Sequence, residues 1–262
     1  MSSTTTTTNP LPSKIGIVLF PGFQLLDAAG PLDAFNLLAN QHTLSLCILA
    51  PTLSPVSPQH WLLDAQNSHF APAIVPTHTF ADAPRDLDML LVPGGMGSRD
   101  DKFAKEMEAV VAFLKGLDLS GQGSIKHVLT VCTGSEILAR TGLLNGREAT
   151  TNKRAFNEVK AKHPGVNWVA KARWVVDGNI WTSSGVSAGM DLAFAWIREV
   201  WGEEVASYVA DRSEVSLDSF AVSVLVVTDC ICDCSMRGIR TVRMIGMLSG
   251  GALFEGWRWD GV

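Results

Sequence analysis

The sequence predicts an α/β protein, a three-layer α/β/α sandwich in which helices cover both faces of a mostly parallel central sheet. Three apolar runs predict it: "KIGIVLF", "LDMLLVPGG" and "IKHVLTV" each end in a turn or small-residue stretch, and helical spacing follows each. Parallel strands buried on both faces read as continuous apolar runs of this kind. The size fits, because 262 residues at 47% hydrophobic and 18% charged content can bury a full core.

The elements follow in chain order. Residues 14–20, "KIGIVLF", are β-branched and bounded by prolines, which gives a first buried strand. "PGFQLLDAAGPLDAFNLLAN" then turns at Pro-Gly and places Leu32, Phe35, Leu38 and Ala39 at helical spacing. "LSLCILAP" is a second strand, and "PTLSPVSPQ" a proline-broken loop after it. Residues 87–98, "LDMLLVPGGMGS", give a third strand ending in glycines, with the helix "DKFAKEMEAVVAFLKGL" behind it. "IKHVLTV" is a further strand leading to Cys132, and "GSEILARTGLL" the helix after it. Over 166–184 the texture changes to a β-hairpin, with an Asp-Gly turn at Asp177 and Gly178. "SAGMDLAFAWIREVWGEEVASYVADRSE" returns to helix, with Met190, Phe194, Ile197, Trp201, Val205 and Tyr208 on a stripe expected in the core.

Residues 1–13 are too polar to order themselves and are expected as a disordered tail before a domain over 14–215. Residues 216–262 show no clean period. They are expected to be a divergent segment, arising from a retained intron, a shifted frame or a lineage-specific extension. Within them Cys230, Cys232 and Cys234 lack a usual zinc spacing, and no histidine follows His163, so no metal site is expected. Five cysteines without a secretion signal argue against a disulfide framework. A net charge of −5 with no basic run argues against nucleic acid, and no apolar run reaches the roughly 18 residues of a membrane span. A cytoplasmic protein acting on a small molecule is expected.

In open α/β sheets ligands gather at the carboxyl ends of the strands. Asp27 lies after the first such end, Gly94 and Gly95 after another, and Cys132 with Thr133 at a third. A nucleophile on a tight strand-to-helix turn projects from the sheet, and the small residues Thr130, Gly134 and Ser135 permit such a turn. The N–H groups of the following helix would favour thiolate and lower the pKa of Cys132. Buried cysteines are often inert, and Asp27 could merely cap its helix. Asp191 reads as a capping or pairing residue at a helix start, and His127 and His163 as surface or satisfied histidines.

Four stretches carry a resemblance: "FPGFQLLDAAGPLDAF", "LLVPGGMG", "VCTGSEILARTGLLNGREATTN" and "WTSSGVSAGMDLAFAWI". In order, over about 14–208, they resemble the ThiJ/PfpI superfamily of class I glutamine-amidotransferase-like domains, which implies a flavodoxin-like fold. Proteases and glyoxalase- or deglycase-like members follow the elbow cysteine with histidine and use a glutamate from the first loop. Thr133 and Asp27 stand here instead, an arrangement that resembles the isonitrile hydratase branch. The resemblance implies hydration of an isonitrile to a formamide through a thioimidate at Cys132. Asp27 would be the acid/base and Thr133 a positioning group, with Gly94, Gly95 and Gly134 binding the substrate and any oxyanion. It implies no metal or organic cofactor, and a homodimer. The alternatives are a redox or small-molecule sensor using the same cysteine and a glyoxalase- or deglycase-like enzyme. The sensing half of AraC-type regulators shares the "SSGVSAGMDL" style of motif, but the 47 residues after Val215 read as neither helical nor basic enough for a DNA-binding domain.

Overall fold

The computed structural model describes residues 10–118, 123–215 and 224–226. In chain order the strands are β1 (Lys14–Val18), β2 (Ser45–Ala50), β3 (His78–Thr79), β4 (Met89–Val92), β5 (His127–Thr130), β6 (Glu148–Ala149), β7 (Asn167–Trp168), β8 (Trp174–Asp177), β9 (Ile180–Ser183) and β10 (Val224–Val226). The helices are α1 (Leu25–Leu38), α2 (Trp61–Ala65), α3 (Ala104–Lys115), α4 (Gly134–Ala139), α5 (Phe156–Lys162), α6 (Ser187–Trp201) and α7 (Glu203–Arg212). Two short 3-10 turns, Met96–Arg99 and Asp101–Phe103, join β4 to α3.

Eight strands form the main sheet in the order β10-β8-β9-β5-β4-β1-β2-β3. From β9 to β3 every neighbouring pair is parallel, whereas β8 pairs antiparallel with β9 and carries β10 in its own direction. The strand sequences explain their place: all four residues of β4, "MLLV", are buried, as a strand covered on both faces requires. The crossover through α1 runs outward from β1 to β2, and the one through α3 runs the other way from β4 to β5. Right-handed connections in opposite directions put α1 and α3 on opposite faces. α1 packs with α6 and α7, while α3 packs with α4. The sandwich is the one the sequence predicts.

The core joins strand residues such as Ile17, Leu91 and Leu129 to Trp196 of α6, all fully buried. Trp196 meets Phe35, His127 and Trp201 edge-on, with ring centroids 5.4, 5.5 and 5.0 Å away. Among the described residues no helix is long and apolar enough to cross a membrane.

Several local expectations are corrected. The hairpin turns one residue later than the Asp-Gly reading: Asp177 pairs with Ile180, so Gly178 and Asn179 form the loop and Asp177 closes β8. β8 is its first arm, while Asn167 and Trp168, at the start of the expected stretch, form a separate strand β7 that pairs parallel with β6. The last long helix breaks at Gly202, whose φ of +92° a right-handed helix cannot hold. Phe194 and Ile197 of the predicted stripe are buried, whereas Met190, Trp201, Val205 and Tyr208 are only partly buried, and Trp196, one position off the stripe, is fully buried. Ala39 is exposed at the end of α1. The helix after Cys132 stops at Ala139, where the Thr141 hydroxyl donates to the Leu138 carbonyl at 2.6 Å and the chain turns. Val224–Val226, within a segment that showed no period, add a strand beside β8. Residues 1–9 of the tail expected over 1–13, and the cysteine cluster at 230–234, lie outside the described residues.

Candidate active site

Cys132 follows β5 by two residues and adopts φ +58°, in the left-handed region that costs a non-glycine residue about 1–2 kcal/mol. Its surroundings hold it there. The Cys132 N–H donates to the Ser184 carbonyl at 2.9 Å. Its own carbonyl accepts from the Thr151 hydroxyl at 3.1 Å and the Ser135 hydroxyl at 3.2 Å. The turn is therefore fixed from β9, from the chain after β6 and from α4 at once. Gly94 presses on the same turn: a Cβ there would lie 2.5 Å from the Thr133 nitrogen and 3.0 Å from Cys132 Cβ. Only a residue without a side chain lets the loop after β4 meet the elbow this closely.

Asp27 sits in the first turn of α1 and is completely buried. Its side chain does not cap that helix. Instead Oδ2 accepts the Gly94 N–H at 3.1 Å, and Oδ1 is buried without a hydrogen-bond partner of good geometry. Burial raises the Asp27 pKa to about 7, tempered by the Gly94 N–H and the Cys132 thiol. The same loop binds Thr133, whose hydroxyl accepts the Gly95 N–H at 3.0 Å. Asp27, Gly94, Gly95, Thr133 and Cys132 are thus brought together by α1, the β4 loop and the elbow.

The helix N-terminus does not make Cys132 a resting thiolate, as the sequence argument expected. Burial and the Asp27 charge push its thiol up to about 12, against weaker help from the Thr133 N–H, the Asn152 amide and the Val186 N–H. A six-residue helix offers a small dipole, while the thiol of a cysteine only 7% exposed, beside a carboxylate, loses its hydration. The oxyanion role expected of the glycines also needs correction. The N–H groups of Gly94, Gly95 and Gly134 donate to Asp27, Thr133 and the Val131 carbonyl respectively, so none is free to meet a ligand in this conformation.

Two neighbours of the sulfur were not legible beforehand. Asn152 donates from Nδ2 to Cys132 Sγ at 3.1 Å, and Val186, at φ +41°, turns its N–H towards the same atom. Asn152 was visible only as the end of "ATTN", a turn-forming residue before a helix. Of the remaining candidates, Asp191 pairs with Arg173. His163 faces Glu136 at 3.3 Å, and His127 lies half-buried against Trp196 at the far end of β5. A cavity of about 700 Å³ beside α3, lined in part by Ser98, Arg99 and Arg140, does not include Cys132. Among the described residues no group of three His, Cys, Asp or Glu side chains is placed to hold a metal.

Residues 13–199 match the DJ-1/PfpI family. The chain belongs to that family. It is 33% identical over 196 residues to an isonitrile hydratase of Pseudomonas putida, covering 75% of each chain. It is 28% identical over 203 residues to the HTH-type transcriptional regulator GbdR of Pseudomonas aeruginosa, covering 78% of this chain and 51% of the regulator. Among solved structures it is similar to a ThiJ/PfpI family protein from Pseudomonas syringae, with a TM-score of 0.58 and 27% identity over 82% of this chain and 81% of that one. The DJ-1/PfpI family therefore includes both enzymes and regulators among the relatives of this chain.

Proposed function

We propose that the protein hydrates an isonitrile to an N-substituted formamide, with Cys132 as nucleophile and Asp27 as acid and base. The observation that carries this reading is the buried pair itself: a thiol beside a carboxyl whose pKa of about 7 lets it take and give a proton near neutrality. Similarity to the isonitrile hydratase over three-quarters of the chain supports the substrate class.

In the first step Asp27 takes the thiol proton and delivers it to the isonitrile carbon while the sulfur adds to that carbon, giving R–N=CH–S–Cys132. In the second, ionised Asp27 takes a proton from water as the hydroxyl adds to the same carbon. The nitrogen gains that proton, the C–S bond breaks, and the sulfur recovers the hydroxyl proton through Asp27. The balance is one isonitrile plus one water to one formamide. Thr133, bound to the Gly95 N–H, keeps the loop after β4 against the elbow. The reading includes a homodimer acting on a small molecule rather than on nucleic acid; the exposed Trp61, Leu62, Phe70 and Val75 and the net charge of −5 support it.

The test is formamide formation from cyclohexyl isocyanide and smaller isonitriles by the wild type, Cys132→Ala and Asp27→Asn. Turnover in the wild type that falls by about 10⁴-fold or more in Cys132→Ala, and is lost in Asp27→Asn, is the expected result. A wild type without turnover, whose Cys132 still alkylates, would move the assignment to a sensor built on the same elbow.

A further inference from the structure

The amide of Asn152 is held as rigidly as the cysteine it faces. Its Oδ1 accepts the Arg154 N–H at 2.9 Å and the Ala155 N–H at 3.3 Å, the two donors that begin the turn into α5. Those bonds decide the orientation of the side chain, because an oxygen must face two N–H groups and Nδ2 must then face Cys132 Sγ at 3.1 Å. Gly185 makes room for it: a Cβ there would stand 2.6 Å from Nδ2. Asn152 itself is only partly buried, whereas Asp27 is completely enclosed. The sulfur thus has an acid on its interior side and an oriented donor on the side nearer solvent.

We propose that Asn152 is a further catalytic residue, whose Nδ2–H stabilises negative charge on Cys132 Sγ as the thiol gives up its proton and again when the C–S bond breaks. The need for such a donor follows from the rest of the site. The Thr133 and Val186 N–H groups also face the sulfur, but the glycine N–H groups are committed elsewhere and α4 is too short to supply much field, which leaves Asn152 as the side-chain donor. Other charged groups on neighbouring elements are occupied: Glu136 of α4 holds Arg140, Asp191 of α6 pairs with Arg173, and Lys153 donates to the Thr150 hydroxyl. Asp27 of α1 is the acidic group acting on the sulfur, and it opposes ionisation. The donor role concerns the sulfur and not the electrophile, so it goes beyond the isonitrile reading and survives that reading's failure.

The experiment is iodoacetamide alkylation across pH 7–10, followed at the Cys132 peptide by mass spectrometry in the wild type, Asn152→Ala and Asn152→Asp. Asn152→Asp keeps an oxygen for the Arg154 and Ala155 N–H groups while replacing the donor to sulfur by a carboxylate, so it preserves the turn, removes the donor and adds a charge that also opposes ionisation. A hydrogen bond to a charged group is worth enough that alkylation at a given pH should slow about tenfold in Asn152→Ala, and by at least as much in Asn152→Asp. Folding is checked by circular dichroism, and if Asn152→Ala does not fold, the Asp variant decides. A folded Asn152→Asp that alkylates with the wild-type pH profile would overturn the proposal and leave Asn152 as a turn former.

Discussion

Strand β5 carries a desolvated titratable side chain near each end, the half-buried His127 at its start and the buried Cys132 just past its finish, and the two ends treat desolvation differently. At the amino end His127 lies edge-on to Trp196, its Nδ1 has no partner, and desolvation lowers its pKa with only Asp88 pulling the other way. At the carboxyl end burial also keeps Cys132 neutral, but it meets two backbone N–H groups, the Asn152 amide and a carboxyl at about 7. The lesson is that burial alone silences a group, and that chemistry requires a proton acceptor of matched pKa within the same enclosure. Only the carboxyl end of β5 has one.

The comparison can be tested from each side. Trp196→Ala should remove the packing of the amino end at a cost of about 3–5 kcal/mol, read by urea denaturation, while the alkylation profile of Cys132 in the folded protein stays as in the wild type. A shifted profile would mean that the two ends are one coupled unit.

Asp27→Asn should stabilise the protein above neutrality. The folded pKa of Asp27 is raised from 3.8 to about 7 by burial, so its favourable contribution is complete below about pH 3.8 and is lost as pH rises through about 7, by about 4 kcal/mol at most. Melting temperatures of the variant and the wild type should therefore diverge at pH 8 in favour of the variant and converge near pH 4. Equal differences at the two pH values would remove the desolvated carboxylate from the account.

The smallest effect belongs to His127, and its sign is opposite. Because its folded pKa is lowered below 6.5, the unfolded chain binds more protons just below that pH, so stability rises as pH rises to about 6.5 and falls away on acidification. His127→Phe keeps an aromatic edge for Trp196 and should flatten this slope below about pH 6.5, read by thermal melts. An unchanged slope would place the acid sensitivity elsewhere.

Much of this was legible in the sequence because the physics involved is local. Three apolar runs each closing in small residues fixed the parallel sheet, and the tight turn at Cys132 needs only its own neighbours. Misplaced details trace to single residues, as at Gly202, which ends α6 inside a continuous apolar stripe, and Asp177, whose carboxylate accepts the Glu148 N–H at 2.8 Å rather than occupying a turn. The motif residues Asp27, Gly94 and Cys132 could be named from their strand ends.

Sequence by itself determined the α/β class, the strand that carries the elbow and the residue types able to do acid–base and nucleophilic work. Tertiary structure alone decided their protonation. The pKa of a buried thiol depends on hydration lost and on charges met across the sheet, and Asp27, Asn152 and Val186 reach Cys132 from positions 105, 20 and 54 residues away along the chain. No local pattern encodes a distance of that kind, because it is set when α1, the turn before α5 and the end of β9 close on β5.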